Sequence, residues 1–409
     1  MSFTLKKPEL LAPAGNFEKL EIAIHYGADA VYLAGKDFSL RNFSGNFSEE
    51  ALYRGMALAR KNNVKVFLAC NIYSRNHEQA ALESYMDKIG QIRPDALIIS
   101  DPGIVMLARE RVPDIDIHLS TQTNTTNYNA VRFWERLGIK RVNLARELSL
   151  EEIQEITCCA GIETEAFIHG AMCISYSGRC LLSTVLSKRD ANRGLCSHPC
   201  RWRYAVVEEM RPNEFHPVME DDRGAYIFNS KDLCMIGHIP ELIRSGLTSL
   251  KIEGRMKGIN YLAAVVKTYR EAIDTFMADP AAYALDRAWA EELAQVYHRK
   301  YCTGFYFHHP NDTDEEQLNR QNRHQGTIHS FIGKILSCLD RQRHLVEIRN
   351  KLSLGDQVDV LTPEGPSKKS AILALTDPQG SPIENAQPNT RAILTLEQQF
   401  STSDIIRKP

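Results

Sequence analysis

The sequence predicts an α/β chain built as a (β/α)8 TIM-like barrel, with a Cys-rich insertion between strands 7 and 8 and a small C-terminal all-β domain. Three observations predict it. Eight short apolar runs recur over the first 255 residues, most of them followed by helical spacing or helix-capping residues. The seventh and eighth runs lie about eighty residues apart, whereas such connections usually span a few residues. Beyond residue 325 helical spacing gives way to short alternating runs separated by turns.

The eight runs are Glu9–Ala12, Val31–Ala34, Lys65–Ala69, Leu97–Ser100, Asp116–Ser120, Arg141–Ala145, Thr164–His169 and Ser249–Glu253. They are rich in Val, Ile and Leu and lack strict polar alternation, as parallel strands buried on both faces do. Asn16 is placed to cap a helix carrying Leu20 and Ile24 and closing at Gly27. Ser149 and Glu152 make a capping-box pair ahead of Ile153 and Ile156. After the eighth run, Leu262, Val265, Val266, Tyr269, Ile273 and Phe276 recur at three- and four-residue steps, one face of an amphipathic helix. An open doubly wound sheet is the competing arrangement, and the strand count favours the barrel.

The expected organisation is a barrel over residues 1–310 with its insertion at about 170–247, a polar linker over 311–325, and a small β-barrel over 326–409. Within the last segment the expected strands are Thr327–Ile332, Lys334–Ser337, Leu345–Ile348, Gln357–Leu361 and Ala392–Leu396.

A hydrophobic content of 43% with 24% charged residues is that of a globular protein in water. The net charge of −2 speaks against general coating of nucleic acid and leaves room for a local basic patch. No apolar run approaches the length of a membrane helix, and the N-terminal residues lack a signal-peptide pattern. A cytoplasmic protein with no membrane partner is expected. In that reducing compartment, clustered cysteines more often bind metal or do chemistry than form disulfides.

Four of the ten cysteines, Cys173, Cys180, Cys196 and Cys200, fall in the insertion with the pattern C-x6-C-x15-C-x3-C. Four thiolates hold iron–sulfur clusters and structural zinc alike, and this spacing matches neither common ferredoxins nor zinc ribbons. Arg, Gly and Ser neighbours are poor company for buried apolar thiols, so a thiolate-bound metal centre is the expected reading. Cys234 is an alternative ligand, since a loop could return it to the cluster. If the fold is a barrel, the insertion leaves from the C-terminal rim, where barrel active sites are built.

A second constellation is Lys251-Ile252-Glu253-Gly254-Arg255-Met256-Lys257-Gly258, at the end of the eighth run and just before a helix. Such a place favours a carboxylate or phosphate. Solvated charges at a strand end are the plainer reading. Asn71, Asp101, Gln122, Arg146 and His169 also end predicted strands, and Arg41 in the second loop is a further candidate for carboxylate binding. The stretch from Lys188 to Tyr204 is basic, with Trp202 and Tyr204 among arginines, and would suit an RNA backbone with unstacked bases. A solvated loop is the alternative there. Familiar signatures are missing: His77-Glu78 has Ala81 where H-E-x-x-H needs its second His, and no nucleophile elbow, P-loop or dinucleotide fingerprint occurs.

The segments ELLAPAGNFEKLEIAIHYGADAVYLAG, EAFIHGAMCISYSGRCLLS, NRGLCSHPCRWRY, SLKIEGRMKG and YHRKYCTGFYF together resemble the collagenase-like peptidase family over essentially the whole chain. Length and the single small C-terminal domain are most similar to a group within that family that hydroxylates tRNA. The resemblance implies an oxygen-independent hydroxylase forming 5-hydroxyuridine at the wobble uridine of tRNA, with prephenate as hydroxyl donor and co-substrate. It implies a [4Fe–4S] cluster on Cys173, Cys180, Cys196 and Cys200, with Cys234 in reserve because relatives differ in the fourth ligand. Arg255, Glu253, Arg41 and Arg146 are then expected at the small carboxylate, and Arg189, Arg193, Arg201 and Arg203 at the RNA. The alternatives are a peptidase, a hydroxylase of ribosomal RNA, and a non-catalytic RNA-binding factor with a structural metal site.

Overall fold

The computed structural model describes residues 5–39, 46–173, 175, 178–202, 231–307 and 330–408, with the backbone of four short strands between 206 and 225. Its strands are β1 (Glu9–Pro13), β2 (Ala30–Leu33), β3 (Lys65–Cys70), β4 (Ala96–Ile99), β5 (Asp116–Leu119), β6 (Arg141–Asn143) and β7 (Glu163–Ala171). The insertion adds β8 (Val206–Glu208), β9 (Arg211–His216), β10 (Glu220–Asp221), β11 (Gly224–Ala225) and β12 (Asp232–Cys234). The eighth barrel strand is β13 (Ser249–Ile252), and β14 (Tyr301–Cys302) follows. The helices are α1 (Phe17–His25), α2 (Glu49–Lys61), α3 (Gln79–Ile92), α4 (Pro102–Arg111), α5 (Tyr128–Arg136), α6 (Leu150–Cys159), α7 (Leu182–Ser187), α8 (Ile239–Arg244), α9 (Ile259–Ala278) and α10 (Arg287–Ala294).

Strands β1 to β7 pair in parallel in chain order, and β13 closes the ring. It lies parallel to β1 through Glu9↔Ser249 and to β7 through Lys251↔Phe167. The barrel is therefore the correct reading and the open sheet is not. All eight predicted runs are strands, shifted at their ends by a residue or two. The predicted caps form as well: the Asn16 side chain accepts from Lys19 N–H, and Ser149 with Glu152 closes a capping box. Along α9 the predicted apolar face is buried from Leu262 to Phe276.

The lumen has two walls of different chemistry. Leu11, Ala30, Tyr32, Ala34, Phe67, Ala69, Ala96 and Ile98 make an apolar wall from β1 to β4. Facing it is a buried ionic network. Arg141, 2% exposed, pairs with Glu9 at 2.6 Å, Glu163 at 2.7 Å and Glu165 at 3.4 Å. Lys251 Nζ donates to Glu165 at 2.7 Å and lies over the Tyr32 ring. Burying these cations is tolerable only because each meets a carboxylate.

Strand β7 is longer than its neighbours and outruns the ring. Its end pairs antiparallel with β12, Ala171 opposite Asp232, and β12 in turn carries β14. The insertion thus leaves and returns beside the same strand.

In the C-terminal part, β15 (Ser330–Cys338), β16 (Arg343–Ile348), β18 (Gln357–Leu361), β19 (Lys368–Thr376), β21 (Thr390–Leu396) and β22 (Ile405–Lys408) form a closed antiparallel barrel. Strands β17 (Leu352–Ser353) and β20 (Asn385–Ala386) pair beside it. The two expected runs on either side of Gly333 are one continuous strand here, and β19 and β22 were not anticipated. The expected linker, 311–325, lies outside the described residues. This small barrel seats on α1 and α10: Tyr26 Oη donates to Leu361 O at 2.7 Å and accepts from Ile405 N–H at 3.2 Å, while Arg407 pairs with Glu292.

Candidate active site at the barrel mouth

The C-terminal strand ends put small residues at the mouth, Ala34, Ala69, Ser100, Ser120 and Ala145, all of them buried. Gln122, one turn past β5, is the hub. Its Oε1 accepts from Asn71 Nδ2 at 3.0 Å, Ser100 Oγ at 3.0 Å and Ser120 Oγ at 3.4 Å. Its backbone carbonyl accepts from Tyr73 Oη at 2.9 Å. Asp101 caps α4 and accepts from the Ser74 hydroxyl at 2.8 Å, so it holds the rim together.

Of the residues expected at a carboxylate, Arg146 and Glu253 come together at 3.0 Å, across the rims of β6 and β13. Arg146 lies 3.7 Å over the Phe167 ring and also donates to Ala171 O. Arg255 is 3% exposed and turned toward the second loop. It donates to Ser39 Oγ at 3.0 Å and to Asn46 Oδ1 at 2.8 Å. Those two residues flank the segment 40–45, and Arg41 within it lies outside the described residues. Arg255 therefore braces both ends of that segment.

The cysteine insertion sits on the mouth at two points. Gly178, φ +73°, packs so closely that a Cβ there would stand 2.7 Å from Gln122 O. Arg193 donates to Tyr73 O at 2.8 Å and to Glu78 Oε2 at 3.1 Å, and this bond holds the Glu78 carboxyl below its ordinary value. Arg193, expected at RNA, is thus engaged with the rim. Arg189 is partly buried. The side chain of Arg201 and all of Arg203 lie outside the described residues.

All ten cysteines are free thiols. Cys173 is exposed, whereas Cys180, Cys196 and Cys200 are half-buried. Cys196 Sγ accepts from His198 N–H at 3.4 Å, and Asn192 Nδ2 donates to Cys180 O at 3.1 Å. The donor set fits a thiolate-bound metal in kind. Among the described residues, however, no three Cys, His, Asp or Glu side chains converge on one metal position. Cys234, the reserve ligand, lies across the β7–β12 ladder from His169. Its sulfur is enclosed although the residue is partly exposed, and burial pushes the thiol up to about 11. His169 does not face the mouth. It is buried against Tyr261, Tyr269 and Tyr301, and that burial drives its pKa down to about 3.

Two family models match the chain. The description "Peptidase family U32" fits residues 15–316, and "Peptidase family U32 C-terminal domain" fits residues 328–407. The chain belongs to peptidase family U32. Among curated relatives, "tRNA hydroxylation protein P1" of Bacillus subtilis is 39% identical over 98% of this chain and 95% of its own length. "tRNA hydroxylation protein P" of Escherichia coli is 38% identical over 88% of this chain and 87% of its own. "Collagenase" of Porphyromonas gingivalis is 34% identical over 73% of each. No helix among the described residues of this U32 chain is long and apolar enough to cross a membrane.

Sequence reasoning about this U32 chain did not single out Tyr73, Gly178 or Asn143, and met Glu78 only as part of a failed H-E-x-x-H pattern. The Gly178 φ and the Glu78–Arg193 pairing appear only once distant segments meet. Polar residues in the strands themselves were a usable signal for Asn143, since parallel barrel strands are otherwise apolar.

Proposed function

We propose that this U32 chain is a tRNA hydroxylase that installs 5-hydroxyuridine at the wobble position without oxygen, with prephenate as hydroxyl donor. The observation that carries the reading is the seating of a thiol-rich, arginine-rich insertion on a polar barrel mouth through Gly178 and Arg193. Relatives over nearly the full length bear tRNA hydroxylation names, which supports the substrate class. Cys173, Cys180, Cys196 and Cys200 hold a [4Fe–4S] cluster in this reading, with Cys234 as the alternative fourth ligand. When bound, the cluster supplies one-electron chemistry beside the mouth.

The chain's own residues supply the rest. Arg146, held flat on Phe167 by Glu253, offers a guanidinium to a donor carboxylate. Arg255 braces Ser39 and Asn46, on either side of the segment that carries Arg41. Arg179 and Lys188 are exposed on the insertion with Trp202, and suit a phosphate backbone with a stacked base.

Anaerobic purification followed by iron and sulfide analysis tests the cluster. About four irons and four sulfides per chain, lost in Cys180→Ser, are expected. Nucleoside analysis of tRNA from a deletion strain tests the activity, and unchanged 5-hydroxyuridine-derived wobble bases under oxygen limitation would refute it.

A further inference from the structure

The mouth carries a hydrogen-bonding pattern that the proposed reaction has not used. Gln122 is 6% exposed, and its Oε1 is filled by Asn71, Ser100 and Ser120. Three donors on one oxygen decide which end of the carboxamide is which. The end left over is Nε2, a donor with no hydrogen bond among the described residues.

Asn143 is 3% exposed and stands beside Ser120, one step beyond the Leu119↔Val142 pair of β5 and β6. Its Oδ1 has no hydrogen-bond partner among the described residues. Asn143 Oδ1, a buried acceptor, is costly to leave unpaired, about 1–3 kcal/mol, and the Gln122 donor stands on the loop that follows the neighbouring strand.

Only some chemical groups satisfy both. A carboxylate or phosphate oxygen accepts from Gln122 and repels Asn143 Oδ1. An ammonium does the reverse. A neutral hydroxyl accepts from the first and donates to the second. The surroundings across the lumen are apolar, the packed wall of β1 to β4, and offer a hydroxyl no competing polar partner.

We infer that Gln122 and Asn143 read a neutral hydroxyl on a ring compound, and so select the small molecule by its alcohol group. This rests on the donor reading above and names the residues that recognise the donor's reactive group. Arg146 handles charge, and the two carboxamides handle the hydroxyl.

The test compares two probes by calorimetric titration on the full chain. Prephenate carries the ring hydroxyl and a ring carboxylate; phenylpyruvate keeps the keto acid on an aromatic ring and lacks both, so the hydroxyl is read from what the two variants remove. Wild type is expected to prefer prephenate by about tenfold or more, the worth of a buried hydrogen bond. Asn143→Leu should remove about tenfold of that preference and leave phenylpyruvate affinity unchanged, whereas Gln122→Met, which also unties Asn71, Ser100 and Ser120, should lower prephenate affinity more than phenylpyruvate affinity. Asn143→Leu deletes an unpartnered acceptor, so it should fold as well as wild type and guards against simple unfolding of the other variant. A preference that survives both variants would overturn this inference alone, and would mean that charge selects the donor. Equal binding of both probes by wild type would overturn it too. Binding of neither compound overturns the donor reading and this inference together.

Discussion

Lys251 and Glu165 meet at 2.7 Å inside the closed barrel, on adjacent strands and almost wholly out of water. Glu165 also faces Arg141, so one carboxylate serves two buried cations. Removing Lys251 leaves Arg141 alone against Glu9, Glu163 and Glu165, so excess negative charge stays in the lumen. Lys251→Met is therefore expected to cost about 3–5 kcal/mol of stability. Urea unfolding measures it, and a loss below about 1 kcal/mol would mean that water or another cation relaxes the site.

Gly178→Ala places a methyl 2.7 Å from Gln122 O and forces a left-handed φ on a residue with a Cβ. The strain of such a backbone is about 1–2 kcal/mol before the clash is counted. The insertion, not the barrel, should respond. Faster proteolysis between residues 178 and 202, with the barrel's melting temperature unchanged, is the expected outcome. Equal protection of that segment would show that Arg193 alone seats it.

Acid should weaken the barrel through His118. Burial first, and then the charges of Arg141 and Lys251, hold its pKa well below the ordinary 6.5. The folded ring stays neutral while the unfolded ring takes up a proton below pH 6.5. The unfolded state then binds more protons, so stability falls as pH drops. Between pH 6.5 and 5 this amounts to about 1–2 kcal/mol. His118→Asn should flatten that part of the pH profile in chemical denaturation. An unchanged slope would place the titration elsewhere.

The seam between the two barrels depends on one hydroxyl. Tyr26→Phe strips the partner from both Leu361 O and Ile405 N–H. A cost of about 1–3 kcal/mol is expected. Calorimetry should show the small barrel melting earlier than in wild type. A single unshifted transition would show that Arg407–Glu292 suffices to hold the seam.

The eight barrel strands were legible because parallel strands buried on both faces are written as plain apolar runs. Strand β22 was not, since Arg407 is charged and yet fully buried, and only its pairing with Glu292 explains that. Strand β19 opens with Lys368-Lys369-Ser370, a polar start that hides its later alternation. At the site, Arg193 looked like a residue for RNA because its neighbours are basic. Its partner Glu78 is 115 residues away in sequence, and no local pattern reveals such a bond. Gln122 was visible as a polar strand-end residue. Its role as a hub was not, because it depends on donors from three different loops or strands.

The double attachment at β7 has an evolutionary consequence. Residues 172–231 depart after Ala171 and come home at Asp232, its antiparallel neighbour. The excursion is thus a cassette whose two ends are clipped to a single strand. Closing a longer cassette between fixed clips costs only a logarithmic increment of chain entropy. Sequence there can be lengthened, trimmed or exchanged between relatives with little penalty to the ring beneath. One barrel could in this way be refitted for a succession of substrates, with selection acting on the cassette and sparing the frame.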